Sequence, residues 1–255
     1  MSRIRAWLDT TPLAAIGLAV MREATGRTAP LEPIRASRPA RLRPDARIGF
    51  WALGAGVGTS TTAALVAQRS AAAGHPPLLV DLDRWTPSLA LRARIEAATI
   101  ADALVQPDRE RELVSQWSGV AFLPGAPDLN RQFDAPRIAA LLLRLASGAL
   151  VVDLGSGAEA LDAAIVSCLT RVCVVGGPRA SQLQAVFSSR PLLHALPCAT
   201  GLVVVGVEEE DAALIASRAQ LPLLGAVPAD PYLARDDFAA RAPTMRSIDR
   251  LIRAL

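Results

Sequence analysis

The chain has 255 residues, enough for a large hydrophobic core and still compatible with one α/β domain. Hydrophobic residues make up 51% and charged residues 20%, and no apolar run reaches the roughly 18 uncharged residues that a spanning helix needs. All 27 basic residues are arginine, so any chemistry requiring lysine is excluded, and a net charge of +3 is by itself too mild to argue for nucleic acid.

The first 46 residues differ from the rest. Pro12 to Met21 is about half the length of a span and lacks a small-residue cleavage pattern after it, so it reads as neither signal peptide nor membrane segment. An amphipathic stretch around Pro12 to Arg22 leads into an Arg/Pro-rich segment, Arg27 to Arg47. Proline at this density removes backbone donors and prevents a regular helix, which predicts an extended linker. Its arginines suit a solvated tether, or contact with an acidic partner or anionic lipid.

From residue 47 onward short apolar runs alternate with helical spacing. Strands are expected at Ile48–Leu53, Leu78–Leu82, Val120–Leu123, Leu150–Leu154, Val172–Val175, Leu202–Val207 and Leu223–Val227, and helices at Thr61–Ala73, Pro136–Ser147 and Ala158–Leu169. Strands apolar on both faces, alternating with helices, predict a doubly wound α/β domain over residues 47–255. Its sheet would be mostly parallel, of seven or eight strands, with helices on both faces. Cys168, Cys173 and Cys198 are an odd number in apolar stretches without ligand-like spacing, which predicts free thiols in a reducing cytoplasm. His75 and His194 have no partner at metal-ligand spacing, and Gly155-Ser156-Gly157 lacks the spacing of a nucleophile elbow. The acidic run Glu208 to Asp211 falls where a helix begins, where the helix dipole favours it.

The first strand runs into Gly54-Ala55-Gly56-Val57-Gly58-Thr59-Ser60-Thr61-Thr62. Glycines there allow a tight turn and bring backbone N–H groups toward an anion at a helix N-terminus. At these residues the sequence resembles the ParA/MinD family of deviant Walker P-loop ATPases, whose loop reads Lys-Gly-Gly-Val-Gly-Lys-Thr-Thr. Gly54 to Thr61 aligns to it without a gap, and the two departures fall on the two lysines. Gly54 stands where the family's signature lysine reaches across a dimer, and Thr59 where a lysine contacts the β- and γ-phosphates. The resemblance implies ATP and Mg²⁺ as ligands, with Ser60 as hydroxyl ligand of the metal and Asp153, in Leu150-Val151-Val152-Asp153-Leu154-Gly155, as its Walker B carboxylate. It places Asp83, at the end of Val80-Asp81-Leu82-Asp83, as the water-positioning carboxylate. Leu224-Gly225-Ala226-Val227-Pro228-Ala229-Asp230 resembles the segment that borders the adenine, which puts Pro228 and Asp230 at the base. Gly206-Val207 replaces the family's Asn-Arg, removing a base contact.

Phosphoryl transfer depends on positioning and on cations that neutralise the γ-phosphate. Losing one such donor costs roughly 10²–10³ in rate, and two lysines are missing. The expectation is weak Mg²⁺-nucleotide binding with very slow or absent hydrolysis, unless another chain brings an arginine.

Within the family the sequence is most similar to TadZ/CpaE-like proteins that localise pilus or secretion machinery. The degenerate loop, the segment before the domain, and Arg84-Trp85-Thr86-Pro87-Ser88-Leu89-Ala90 with Ile100-Ala101-Asp102-Ala103-Leu104 carry that similarity. It implies protein partners, including self-association into a dimer. A partition or division-positioning protein working through an ATP cycle is one alternative, although the scattered arginines argue against DNA binding. A membrane-surface scaffold is another, peripheral to the inner face of the membrane. Met245, Ile248, Leu251, Ile252 and Leu255 share one helical face opposite Arg246, Arg250 and Arg253. That helix either packs on the sheet or binds anionic lipid.

Overall fold

The computed structural model describes residues 38–127, 129, 133–233 and 238–255. The stretch Pro12 to Arg22 and the Arg/Pro-rich segment up to residue 37 lie outside the described residues.

Eight strands form one sheet: β1 (Arg47–Ala52), β2 (Leu78–Asp81), β3 (Ser115–Trp117), β4 (Val120–Leu123), β5 (Leu150–Ser156), β6 (Arg171–Gly176), β7 (Ala199–Val205) and β8 (Leu223–Val227). Their order is β3-β4-β2-β5-β1-β6-β7-β8. Only the β3–β4 pair is antiparallel, with Trp117 opposite Val120. The expected doubly wound, mostly parallel sheet is therefore present. Its edge strand β3 was not anticipated, because three residues with one buried side chain carry almost no periodic signal.

Side chains alternate across each strand, so one strand feeds two cores. In β1, Ile48 and Phe50 face one layer and Trp51 the other, all fully buried. The first layer is covered by α1 (Thr59–Ala72), the short α2 (Leu89–Ala93) and the final α8 (Ala242–Ala254); the second by α3 (Ile100–Val105), α4 (Ala135–Leu145), α5 (Ala163–Val166), α6 (Ala180–His194) and α7 (Glu209–Ala219). Acidic residues Glu209, Glu210 and Asp211 do occupy the first turn of α7.

Three further differences from the sequence reading have local causes. Ala158–Leu169 is not one helix. A 3₁₀ turn at Ala158–Ala160 follows Gly157 in a left-handed conformation (φ 96°), and extended Asp162 then restarts the chain as α5 by accepting the Ala164 N–H at 2.8 Å. Residues 38–46, read as the end of a tether, pack on the domain. Leu42 is buried and its N–H donates to Ser70 Oγ at 3.1 Å, while the Ala40 N–H donates to Asp249 Oδ1 at 2.9 Å. Finally, α8 settles the choice left open for the last segment. Ile248, Leu251 and Ile252 are buried against α1 and β8, so this apolar face belongs to the core and not to a lipid surface. Among the described residues no helix is long and apolar enough to cross a membrane.

The topology fixes where a ligand can sit. From β1 the chain passes to β2 on one side, whereas from β5 it passes to β6 on the other. The loops after β1 and β5 thus leave in opposite directions at the carboxyl ends of neighbouring strands, opening a crevice there.

Candidate functional site

The crevice is lined first by the loop after β1. Gly56 (φ 75°) and Gly58 (φ 92°) are both left-handed, which other residues adopt only under strain. An added Cβ on Gly56 would meet nothing within 4 Å, so these positions need glycine for backbone conformation and not for lack of room. Gly58 caps α1 without any side-chain bond, and no acidic residue lies in the first turn. The leading N–H groups of α1 therefore point into the crevice without a capping side chain, a site suited to an anion. Thr62 fixes the turn, donating from both N–H and Oγ1 to the Gly58 carbonyl at 2.8 Å each.

The two lysine-equivalent positions bring no charge. Gly54 lies against α6, where an added Cβ would stand 3.4 Å from Ala185 Cβ. Thr59 is buried, at 8% exposure, and carries at most a neutral hydroxyl. Ala55 is exposed at the loop tip, and Val57 anchors the loop in the core.

Opposite the loop stand three carboxylates. Asp153 of β5 lies in register with Asp81, the last residue of β2, and Asp83 follows two residues later. Asp153 is fully buried; its Oδ1 accepts the Gly155 N–H at 3.0 Å, whereas Oδ2 has no hydrogen-bond partner. Burial raises its pKa to about 6, with the Asp83 charge adding to the rise; the nearby Ser60 hydroxyl, the Gly155 N–H and the Arg92 charge oppose it. Ser60 thus neighbours Asp153 without closing a bond to Oδ2. Asp81 is also pushed well above its ordinary value, by burial first and then by the Asp153 charge. Its oxygens accept the N–H groups of Asp83 (3.1 Å) and Leu89 (3.2 Å), tying the start of α2 to the strand end.

Asp83 is held as a loop cap. Oδ1 accepts the N–H groups of Trp85 and Thr86 at 3.0 and 2.9 Å, and Oδ2 accepts the Thr86 hydroxyl at 3.2 Å. Its close approach to β5 requires Gly155 (φ 71°), where a Cβ would stand 2.6 Å from Asp83 Cγ. The side chain expected to position water is thus fastened by three bonds within its own loop.

Pro228 and Asp230 follow β8, three strands away from β1. Asp230 works structurally: its Oδ2 accepts the Arg241 N–H and the Thr244 hydroxyl at 2.7 Å each, securing the first turn of α8. Two residues near the loop escaped the sequence reading. Asp81 reads in the sequence only as a strand end, and Arg92 of α2 carries no signal among so many arginines. The Arg92 guanidinium donates to Thr61 Oγ1 at 3.0 Å and stacks 4.4 Å above the Phe238 ring.

Mg²⁺ is a hard cation that keeps several waters and takes only one or two protein oxygens beside substrate phosphates. The unpartnered Asp153 Oδ2 beside the Ser60 hydroxyl fits that demand. Among the described residues no group of three or more His, Cys, Asp or Glu side chains is disposed to hold a metal alone. At the other end of the sheet a cavity of about 420 Å³ opens between Leu42, His75 and Arg111, and none of the predicted site residues line it.

A parallel sheet with a glycine loop at its switch point and a strand-end aspartate opposite it is a doubly wound arrangement of the kind that P-loop NTPases share. Neither protein-family profiles nor curated proteins give a match to the sequence. Solved structures do match. A ParA family ATPase from Chlorobium tepidum TLS superposes with a TM-score of 0.69 at 17% identity, covering 83% of this chain and 100% of that one. The septum site-determining protein MinD from Pyrococcus horikoshii OT3, complexed with Mg-ADP, gives 0.67 at 19% identity, covering 81% and 94%. A plasmid partition protein from Borrelia burgdorferi B31 bound to AMPPNP gives 0.64 at 14%, covering 82% and 97%. The chain has the fold of the ParA- and MinD-type ATPases.

Proposed function

We propose that this chain is a ParA/MinD-like positioning or assembly scaffold that binds Mg²⁺-nucleotide weakly and hydrolyses it very slowly or not at all. The observation that carries this is the pairing of an intact backbone cradle with an uncharged rim. Gly56 and Gly58 shape a loop open to an anion, and Asp153 Oδ2 awaits a cation partner beside Ser60, yet Gly54 and buried Thr59 occupy the lysine positions. Bound nucleotide would bring the phosphates, and a metal there would neutralise their charge. The chain's own part would be to orient those phosphates on the N–H groups of residues 56–61 and to hold the metal through Ser60 and Asp153.

The ParA/MinD-type fold and the Mg-ADP and AMPPNP in two of the matching structures favour ATP with Mg²⁺ as the ligand. A role at pilus or secretion machinery rests on the sequence similarity of Arg84–Ala90 and Ile100–Leu104 to TadZ/CpaE-like proteins. Self-association and protein partners follow from the same similarity, with the nucleotide-gated pairing of a partition cycle disfavoured by Gly54.

Calorimetry of ATP binding with and without Mg²⁺, followed by a turnover assay, tests the proposal. Weak Mg²⁺-dependent binding with negligible turnover is the expected result. Absence of binding at millimolar ATP defeats the nucleotide reading, and turnover at about 1 s⁻¹, at the lower end of ordinary enzymes, defeats the pseudo-ATPase reading. Thr59→Lys offers a second arm, since a charge restored at the loop should tighten Mg²⁺-ATP by about tenfold.

A further inference from the structure

The loop lacks a cation of its own sequence, yet one stands beside it. Arg92 lies on α2, which starts eight residues after Asp81 and is tied back to that strand end through the Leu89 N–H. From there its guanidinium reaches Thr61, in the first turn of α1, at 3.0 Å. Thr61 is two residues beyond Thr59 and one beyond Ser60, so the planar charge stands beside the helix N-terminus, where the N–H groups are offered to an anion. Its face rests on Phe238 at 4.4 Å, which fixes the plane of the guanidinium, and its field reaches Asp153 on the metal side of the crevice.

We propose that Arg92 is the phosphate-binding cation of this site, an arginine carried in cis on α2 and held beside the first turn of α1. The inference rests on the reading that the loop holds a nucleotide. Arginine suits the task because its planar fork matches phosphate oxygens and keeps its charge at any working pH. It also differs from the missing lysine in where it acts. A loop lysine would approach along α1, whereas Arg92 arrives from a separate segment whose position depends on Asp81.

The test is calorimetric titration of Mg²⁺-ATP and of inorganic tripolyphosphate into the full chain and its Arg92→Gln, Arg92→Ala and Arg92→Lys variants, with melting of each ligand-free protein. Gln removes the charge and the stacking on Phe238 while keeping a polar amide on a shorter stem. We expect Arg92→Gln and Arg92→Ala to weaken both ligands by about tenfold or more and to flatten the salt dependence of binding, with Arg92→Lys recovering most of the affinity. Unchanged affinity in a folded Arg92→Gln overturns the assignment. So does tighter binding, which would make Arg92 a plug in the phosphate site. Failure of the unaltered protein to bind either probe at millimolar concentration removes the nucleotide reading and this inference together, whereas normal binding that ignores Arg92 removes this inference alone.

Discussion

Arg69 on α1 and Asp249 on α8, 180 positions apart, form a two-pronged ion pair with both N–O distances at 2.8 Å. The Asp249 side chain is 1% exposed and that of Arg69 13%, so the pair is nearly dry. Asp249 Oδ1 also accepts the Ala40 N–H, so one carboxylate gathers α1, α8 and the segment leading into β1.

Removing one member of such a pair leaves a buried charge uncompensated, which typically costs 3–5 kcal/mol. Asp249→Ala should therefore lower the unfolding free energy by about 3 kcal/mol in urea titrations. Pairing it with Arg69→Met should cost less than the sum of the two single changes, because the stranded guanidinium is gone. Additive losses would mean the two side chains act independently.

Asp153 makes stability depend on pH in a direction opposite to that of most surface carboxylates. Its folded pKa of about 6 lies above the ordinary value of 3.8, so the folded state binds its proton more tightly than the unfolded state does. Stability from this group is greatest below pH 3.8, falls as pH rises toward about 6, and stays reduced above it. Asp153→Asn should remove that decline and raise stability at neutral pH by up to about 3 kcal/mol. The same variant should lose any stabilisation by Mg²⁺-nucleotide. Urea unfolding at pH 4.5 and pH 7.5, with and without ligand, measures both; a destabilised Asn variant at neutral pH would contradict the account.

The glycine loop can be tested apart from charge. In Gly58→Ala the new Cβ meets Val205 no closer than 3.7 Å, so the penalty comes from the left-handed backbone alone. That penalty is about 1–2 kcal/mol. Thermal melting should thus show a small loss, while nucleotide binding falls much further because the loop N–H groups turn away. A variant that binds normally would show that the left-handed turn is not needed for the ligand.

The final helix should behave as core. Leu251→Ala removes a fully buried side chain and should cost about 2–5 kcal/mol in unfolding free energy. Flotation with anionic liposomes should be the same for this variant as for the unaltered chain. Loss of vesicle binding without loss of stability would restore the lipid reading.

Most of the sheet was legible because β-strands buried on both faces write themselves as apolar runs, as Leu78–Leu82 and Leu150–Leu154 do. The glycine loop was legible because two left-handed positions, Gly56 and Gly58, tolerate few residues but glycine. What stayed hidden depends on contacts between distant segments. Nothing in Leu-Ala-Leu-Arg-Ala marks Arg92 as the arginine that reaches Thr61, and the proline-rich approach to β1 gave no sign that Leu42 is buried under α1. The helix expected over Ala158–Leu169 failed for a local reason that was present in the sequence, a glycine before it and Asp162 within it. Apolar composition outweighed both in the reading.

The lead-in segment and the glycine loop lie at opposite ends of α1. Leu42 bonds to Ser70 near the last turn, and the loop ends at Gly58 before the first. With 14 residues at about 1.5 Å each, α1 is a strut about 21 Å long. The Leu42 contact is therefore held about one helix length from the glycine loop. A shift of α1 along its own axis would therefore be felt both at the Leu42 contact and at the glycine loop.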